Sequence, residues 1–113
     1  AKYLQPTIGI VDGTVGLQGN GPGGTDAVEL GVAAASTDVF AVDAVMAKVM
    51  GYEPLEQGIL HYANQLGIGV ADLANINVLE TAIADVATNF KPHEWIEDQR
   101  HWHDQDAIAH IQA

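Results

Sequence analysis

The sequence predicts a single-domain α/β protein, with a small mixed sheet and packed helices. The chain has 113 residues, of which 48% are hydrophobic, and this is enough for one core and argues against disorder. Residues 7–11 form a short, continuously apolar run, which is typical of a strand covered on both faces. Residues 38–50 carry apolar side chains at helical spacing, so at least one buried helix accompanies the strand.

The other elements follow along the chain. Residues 28–36 fit either a helix, because alanine is frequent, or a buried strand between turn signals, and we favour the strand. The helix at 38–50 begins with Asp38 or Thr37 as its cap and ends at Gly51. Beyond it, the pattern predicts a helix from Pro54 to Gly67, a strand at 76–79, a helix at 80–88, and a Trp- and His-rich tail at 91–113 with one helix or two shorter ones over 93–106.

The charge balance narrows the classes of partner. Four Lys and Arg residues against 15 Asp and Glu residues give a net charge of −11. An acidic surface argues against nucleic acid and anionic membranes, and it suits a cationic partner or a metal ion. The chain has no cysteine, which excludes thiolate catalysis and an iron–sulfur cluster held by this chain. With no apolar run of membrane-spanning length and no visible leader, we expect a cytoplasmic protein.

The glycine loop, residues 16–25, is the first candidate site. Five of its ten residues are glycine, which lets backbone N–H groups approach a ligand closely. Gly19, Gly21 and Gly24 match the dinucleotide-binding spacing. The loop, however, lies away from the strand, contains Pro22 and lacks the lysine of a phosphate-binding loop. The pattern leaves two alternatives: a purely structural loop, or a loop beside an anion or a metal.

Carboxylates near the loop extend the candidate site. Asp43 falls inside the apolar arc of the helix at 38–50, so we expect it to be buried, where it either accepts hydrogen bonds from the glycine loop or contacts a ligand. Asp12 is either a ligand contact at the end of a strand or an Asp-Gly turn residue. No nucleophile or acid–base pair stands out, so catalysis stays open. The predicted ligand-binding set is Asp12, Gly19, Asn20, Gly21, Asp38 and Asp43.

Three residues of the tail form a weaker pattern. His103, Asp106 and His110 are spaced so that they share one face of a helix. Two imidazoles and a carboxylate can bind zinc or iron. A solvated polar helix face explains the same spacing, and we favour it.

Three segments together resemble a known family. They are Ile10-Val11-Asp12-Gly13 with the Gly19-Asn20-Gly21-Pro22 loop, then 30–36, then 38–52. Over about residues 6–80 this order is similar to the DUF362 family of bacteria and archaea, whose function is unknown. The resemblance implies an α/β domain with a strand at 30–36, and it carries over Asp12, Asn20, Asp38 and Asp43 without a catalytic role.

Many DUF362 relatives are longer and carry a cysteine-rich ferredoxin-type segment. This chain lacks cysteine, so the resemblance implies at most a ferredoxin-type partner and a short or truncated member of the family.

Two hypotheses about function follow. The first is a domain that binds a small ligand or a metal, with a redox association implied by the family. It requires that Asp12, Asn20 and Asp43 converge with the glycine loop at one concave place. The second is a structural or interaction module that forms a homo-oligomer, in the simplest case a homodimer, and binds no ligand.

Overall fold

The computed structural model describes residues 3–23, 26–103 and 109, and it confirms the α/β class. Two strands and three α-helices are described, with short 3₁₀ turns between them. In chain order they are β1 (Gly9–Leu17), β2 (Ala27–Ser36), α1 (Val39–Val49), a 3₁₀ turn at Pro54–Glu56, α2 (Gly58–Gln65), a 3₁₀ turn at Leu73–Asn75, α3 (Ile83–Val86) and a 3₁₀ turn at Asp98–His103.

The strands β1 and β2 form an antiparallel hairpin. Gly9 lies opposite Ser36, and an irregularity between Gly13 and Val15 marks a bulge. The strand predicted at 28–36 is therefore confirmed. β1 continues beyond the predicted 7–11, because Asp12 and Gly13 stay paired with Ala33 and Val32, and the extra residue of the bulge lies in β2 at Leu30–Gly31. Alternate residues of the hairpin are half-buried and exposed, so one face packs inward and the other stays open.

The helix α1 is the centre of the core and confirms the helix predicted at 38–50. On one side, Val42, Met46 and Val49 pack against apolar side chains of the hairpin. On the other side, Ala44 is fully buried against Leu60 of α2. The helix therefore has two packing faces and holds the hairpin and the rest of the chain together.

The helix predicted from Pro54 to Gly67 is two elements in the structure. Its first turn is the 3₁₀ turn Pro54–Glu56, and α2 begins only at Gly58. The break lies at Gln57, whose backbone is extended with ψ 120°. The predicted end is confirmed, because Gly67 has a φ of 66°, the left-handed conformation that glycine adopts readily after a helix.

The elements predicted beyond Gly67 differ from those in the structure. Residues 76–79 are not part of a sheet, and the helix predicted at 80–88 is reduced to α3. Residues 94–103 form turns and the 3₁₀ turn, and the remainder of the helix predicted at 93–106 lies outside the described residues. None of the helices that the structure describes is long and apolar enough to cross a bilayer.

Candidate functional site

Gly16 and Leu17 of the predicted glycine loop are the last residues of β1, and the segment 91–94 holds the part of the loop that follows them in place. The Gly19 amide donates to the Lys91 carbonyl at 2.8 Å, and the Lys91 amide donates to Gln18 Oε1 at 2.9 Å. Asn20 Oδ1 accepts from the Glu94 amide at 3.0 Å. We call these contacts between Gln18–Asn20 and 91–94 the latch. The loop joins two antiparallel strands, so it lacks the strand-to-helix turn that a dinucleotide site needs.

Asp26, at the far end of the loop, strengthens the latch electrostatically. Its carboxylate accepts from Gln18 Nε2 at 2.9 Å and from Lys91 Nζ at 2.8 Å. These bonds, first that from Gln18 and then that from Lys91, hold the pKa of Asp26 below its usual value. Sequence reasoning missed Asp26, Gln18 and Lys91, because the pairing joins residues far apart in the chain.

Asp12 has a local structural partner. Its Oδ1 accepts from the Thr14 amide at 3.0 Å and from the Thr14 hydroxyl at 2.6 Å, and these bonds lower the pKa of Asp12. The side chain is exposed on the open face of the hairpin, since its neighbours Val11 and Gly13 face α1. Asp12 thus lies inside β1, paired with Ala33, and neither at the end of a strand nor in an Asp-Gly turn.

The predicted burial of Asp43 is wrong. Asp43 is exposed on α1, and the partial desolvation by its apolar neighbours raises the pKa of its carboxyl. The apolar residues around Asp43 belong to two different packing faces of α1. The apolar surface that looks continuous in the sequence is therefore interrupted at Asp43. Asp43 and Asp12 lie on opposite sides of the hairpin, and the predicted convergence does not occur.

Asp38 braces the start of α1. Its carboxylate accepts from the Phe40 and Ala41 amides at 2.9 and 3.2 Å, as an N-cap, and from the Val70 amide at 2.8 Å. The first turn of α1 is thereby tied to the segment 67–72. Gly69 packs so closely there that an added Cβ would lie 2.2 Å from Phe40 Cδ2.

The predicted ligand-binding residues thus lie at three separate places. Gly19, Asn20 and Gly21 belong to the latched loop, Asp12 to the open face of the hairpin, and Asp38 and Asp43 to α1. Their roles in binding stay predictions. Across 3–23, 26–103 and 109, no three His, Asp or Glu side chains come together in a way that could hold a metal. The metal site predicted in the tail includes Asp106 and His110, which lie outside these residues.

A groove that sequence reasoning missed runs along β2. Its volume is about 770 Å³, within the range of ligand sites. The floor is α1, one wall is β2, and the other wall is the segment 76–86 with α3. The lining residues are 31–37, Ala41, Val42, Val45, Met46, Val49, 76–81, Ile83 and Val86.

One wall of the groove is a strand edge without a partner among the described residues. β2 pairs only with β1 in the part of the chain that the structure describes, so its second edge faces the groove. Residues 76–79 of the opposite wall belong to no sheet or helix, and Glu80 there has a φ of 66°, which a residue with a side chain rarely adopts. Glu80 is the one charged residue among those that line the groove. The sequence contains an indication of this open edge, because residues 30–36 lack the charges and the proline that protect an exposed strand edge.

Comparisons with known proteins agree with the sequence patterns. Residues 1–48 match the family described as "Domain of unknown function (DUF362)", which confirms the resemblance for this part of the chain. A thylakoid-associated protein of Synechocystis sp. is 37% identical over 68 residues, which are 60% of this chain and 21% of the relative. The chain thus spans about a fifth of the length of that relative. No solved structure matches the chain.

Proposed function

For this chain, whose first 48 residues match the DUF362 family, we propose that it is an interaction module which binds an extended polypeptide strand in the groove beside β2. The observation that carries the proposal is the second edge of β2, which faces a groove instead of another strand. A sheet edge offers a row of N–H and C=O groups, and an added strand satisfies them.

The depth of the groove supports a strand as the occupant. α3 packs on α1, and the groove between it and β2 runs along six β2 residues, 31–36, and the following Thr37. A strand laid there places every second side chain between the half-buried Val45 of α1 and the exposed Leu79 of the opposite wall, while Val42 and Met46 are already buried beneath them. Backbone pairing then supplies affinity, and these apolar side chains supply the preference for particular residues.

The charge of the groove supports an uncharged occupant. Among the lining residues only Glu80 carries a charge, whereas the chain as a whole has a net charge of −11. An acidic strand would be repelled by the protein, and a strongly basic one would find a single counter-charge. A strand of uncharged residues with alternate apolar side chains is the best match.

The interaction module is better supported than the small-ligand or metal-binding hypothesis. The residues predicted to bind a ligand are dispersed and partly engaged in the latch or in capping. A redox association and a ferredoxin-type partner rest on family resemblance alone. The Synechocystis relative is named for its association with thylakoids, and association of any kind requires a contact surface such as this groove.

A synthetic strand tests the proposal. The probe is the peptide acetyl-Thr-Val-Thr-Val-Thr-Val-amide, and binding to the full chain is measured by titration calorimetry. We expect saturable binding, which Leu79→Gln weakens because Leu79 lines the groove. Full N-methylation of the peptide should abolish binding, because it removes the N–H groups that pair with β2.

Ile10→Gln is the matched control. Leu79 and Ile10 are both 73% exposed, so neither substitution disturbs the core, but Ile10 lies on the open face of the hairpin. Binding that Ile10→Gln weakens as much as Leu79→Gln, or that survives N-methylation, would refute the groove as the site.

A further inference from the structure

We infer that the strand bound in the groove is the segment 3–8 of a second copy of this chain, so that two copies exchange these segments reciprocally. The inference rests on the proposed function and names its partner. We call residues 3–8 the arm. It precedes β1 and carries apolar side chains that contact little: Tyr3 is 92% exposed, Leu4 86% and Ile8 54%.

The side chains of the arm alternate in the way that a half-buried strand requires. Leu4, Pro6 and Ile8 fall on one face of an extended chain, and Tyr3, Gln5 and Thr7 fall on the other. The first face suits the accessible apolar side chains of the groove, Val45 and Leu79, and the second suits the solvent. Proline has no N–H, and in a strand it is tolerated where its nitrogen faces no partner. One strand carrying one proline can therefore still pair with the edge of β2.

The reach of the arm favours a second copy over its own groove. The arm leaves β1 at Gly9, opposite Ser36, and to enter its own groove it must reverse and pass the end of β2. That passage spans two strand spacings, roughly 10 Å, and uses about three of its residues. The groove of a second copy has no such requirement, and a two-fold axis makes the exchange reciprocal.

The charge distribution favours the arm as the contacting segment. Residues 1–11 contain one lysine and no acid, whereas the whole chain carries −11. Two acidic copies repel each other, and a segment without carboxylates, such as the arm, approaches the other copy with less repulsion than an acidic segment does. Glu80, the one charged residue lining the groove, adds no repulsion toward such a stretch.

Sedimentation equilibrium over a wide concentration range tests the exchange. We expect wild type to form dimers reversibly. Leu4→Asp should raise the dimer dissociation constant about tenfold or more, because it places a charge where an apolar side chain is buried. Gln5→Asp is the matched control: it adds the same charge to the same arm, on the outward face, and should change the constant by less than about threefold. Leu4 is exposed within one copy, so the substitution leaves the fold intact.

The outcomes separate this inference from the proposed function. A chain that stays monomeric while the Thr-Val peptide binds overturns the arm exchange and leaves the interaction module standing. A monomer in which Leu4→Asp tightens peptide binding also overturns it, because the arm then fills its own groove. A dimer dissociation constant that neither Leu4→Asp nor Leu79→Gln changes overturns it as well. Failure of the peptide to bind, together with a monomeric chain, overturns both proposals.

Discussion

Asp38 and Asp43, both near the start of α1, differ in how well the sequence predicts their surroundings. Asp38 could be recognised as a cap, because capping depends on the residues that follow it directly. Its third bond, from the Val70 amide, could not be recognised, since it joins residues 32 positions apart. Asp43 was expected to be buried and is exposed, because sequence periodicity does not reveal where two packing faces of one helix separate.

The difference between these aspartates is measurable as stability. Asp38→Ala removes the cap and the bond to Val70, and we expect the free energy of unfolding to fall by roughly 2–3 kcal/mol. Urea denaturation followed by circular dichroism measures this change. Asp38→Asn keeps a capping oxygen and should cost less, because asparagine is an equally good cap.

Asp43→Ala is the control for Asp38→Ala. It removes the same group from the same helix, at an exposed position, and should change the free energy of unfolding by no more than about 0.5 kcal/mol. A loss for Asp43→Ala as large as that for Asp38→Ala would contradict the assignment of the brace to Asp38.

Among the secondary-structure elements, the sequence predicts those that depend on neighbouring residues. It misses the contacts between residues that are far apart in the chain. The strand at 28–36 and the helix at 38–50 were recognisable from their own residues. The latch was not, because the Lys91 amide bonds Gln18 across 73 positions. Residues 76–79 resemble a strand in composition, yet a strand forms only with a partner, and none lies beside them in the described part of the chain.

The latch should depend on pH through Asp26. Its pKa in the folded protein is lowered, so the stabilisation by its bonds is complete above the ordinary value of 3.8 and is lost as the pH falls through the lowered pKa. Gln18→Leu removes the largest cause, and we expect the pKa of Asp26 to move up toward 3.8. Titration of the carboxyl carbon by NMR measures this pKa.

Asp12 provides the internal reference for the latch experiment. Its pKa is lowered by Thr14 and not by Gln18, so it should stay where it is in Gln18→Leu. A pKa of Asp26 that does not move in this variant would show that the bond from Gln18 is not what stabilises the charged form.

For the molecule as a whole, composition predicts the class but not the surfaces. Forty-eight per cent hydrophobic residues predict one core, and α1 provides it with two packing faces. The groove is a space between three elements, so no segment of sequence encodes it alone. The open face of the hairpin, with Ile10 73% and Val15 55% exposed, likewise emerges only when the elements are assembled. An isolated hairpin is marginally stable, and here α1 supports it.

The net charge of −11 leads to a last prediction, on the salt dependence of the proposed arm exchange. Two copies repel at low ionic strength, where the Debye length is about 30 Å at 0.01 M, and much less at 0.15 M, where it is about 8 Å. Sedimentation equilibrium should therefore show tighter dimers as sodium chloride is raised. The uncharged Thr-Val peptide, titrated at protein concentrations too low for dimers, is the control, since its binding to the empty groove should not change with salt. Dimers that weaken with salt would contradict the exchange of uncharged arms, because they would be held by opposite charges.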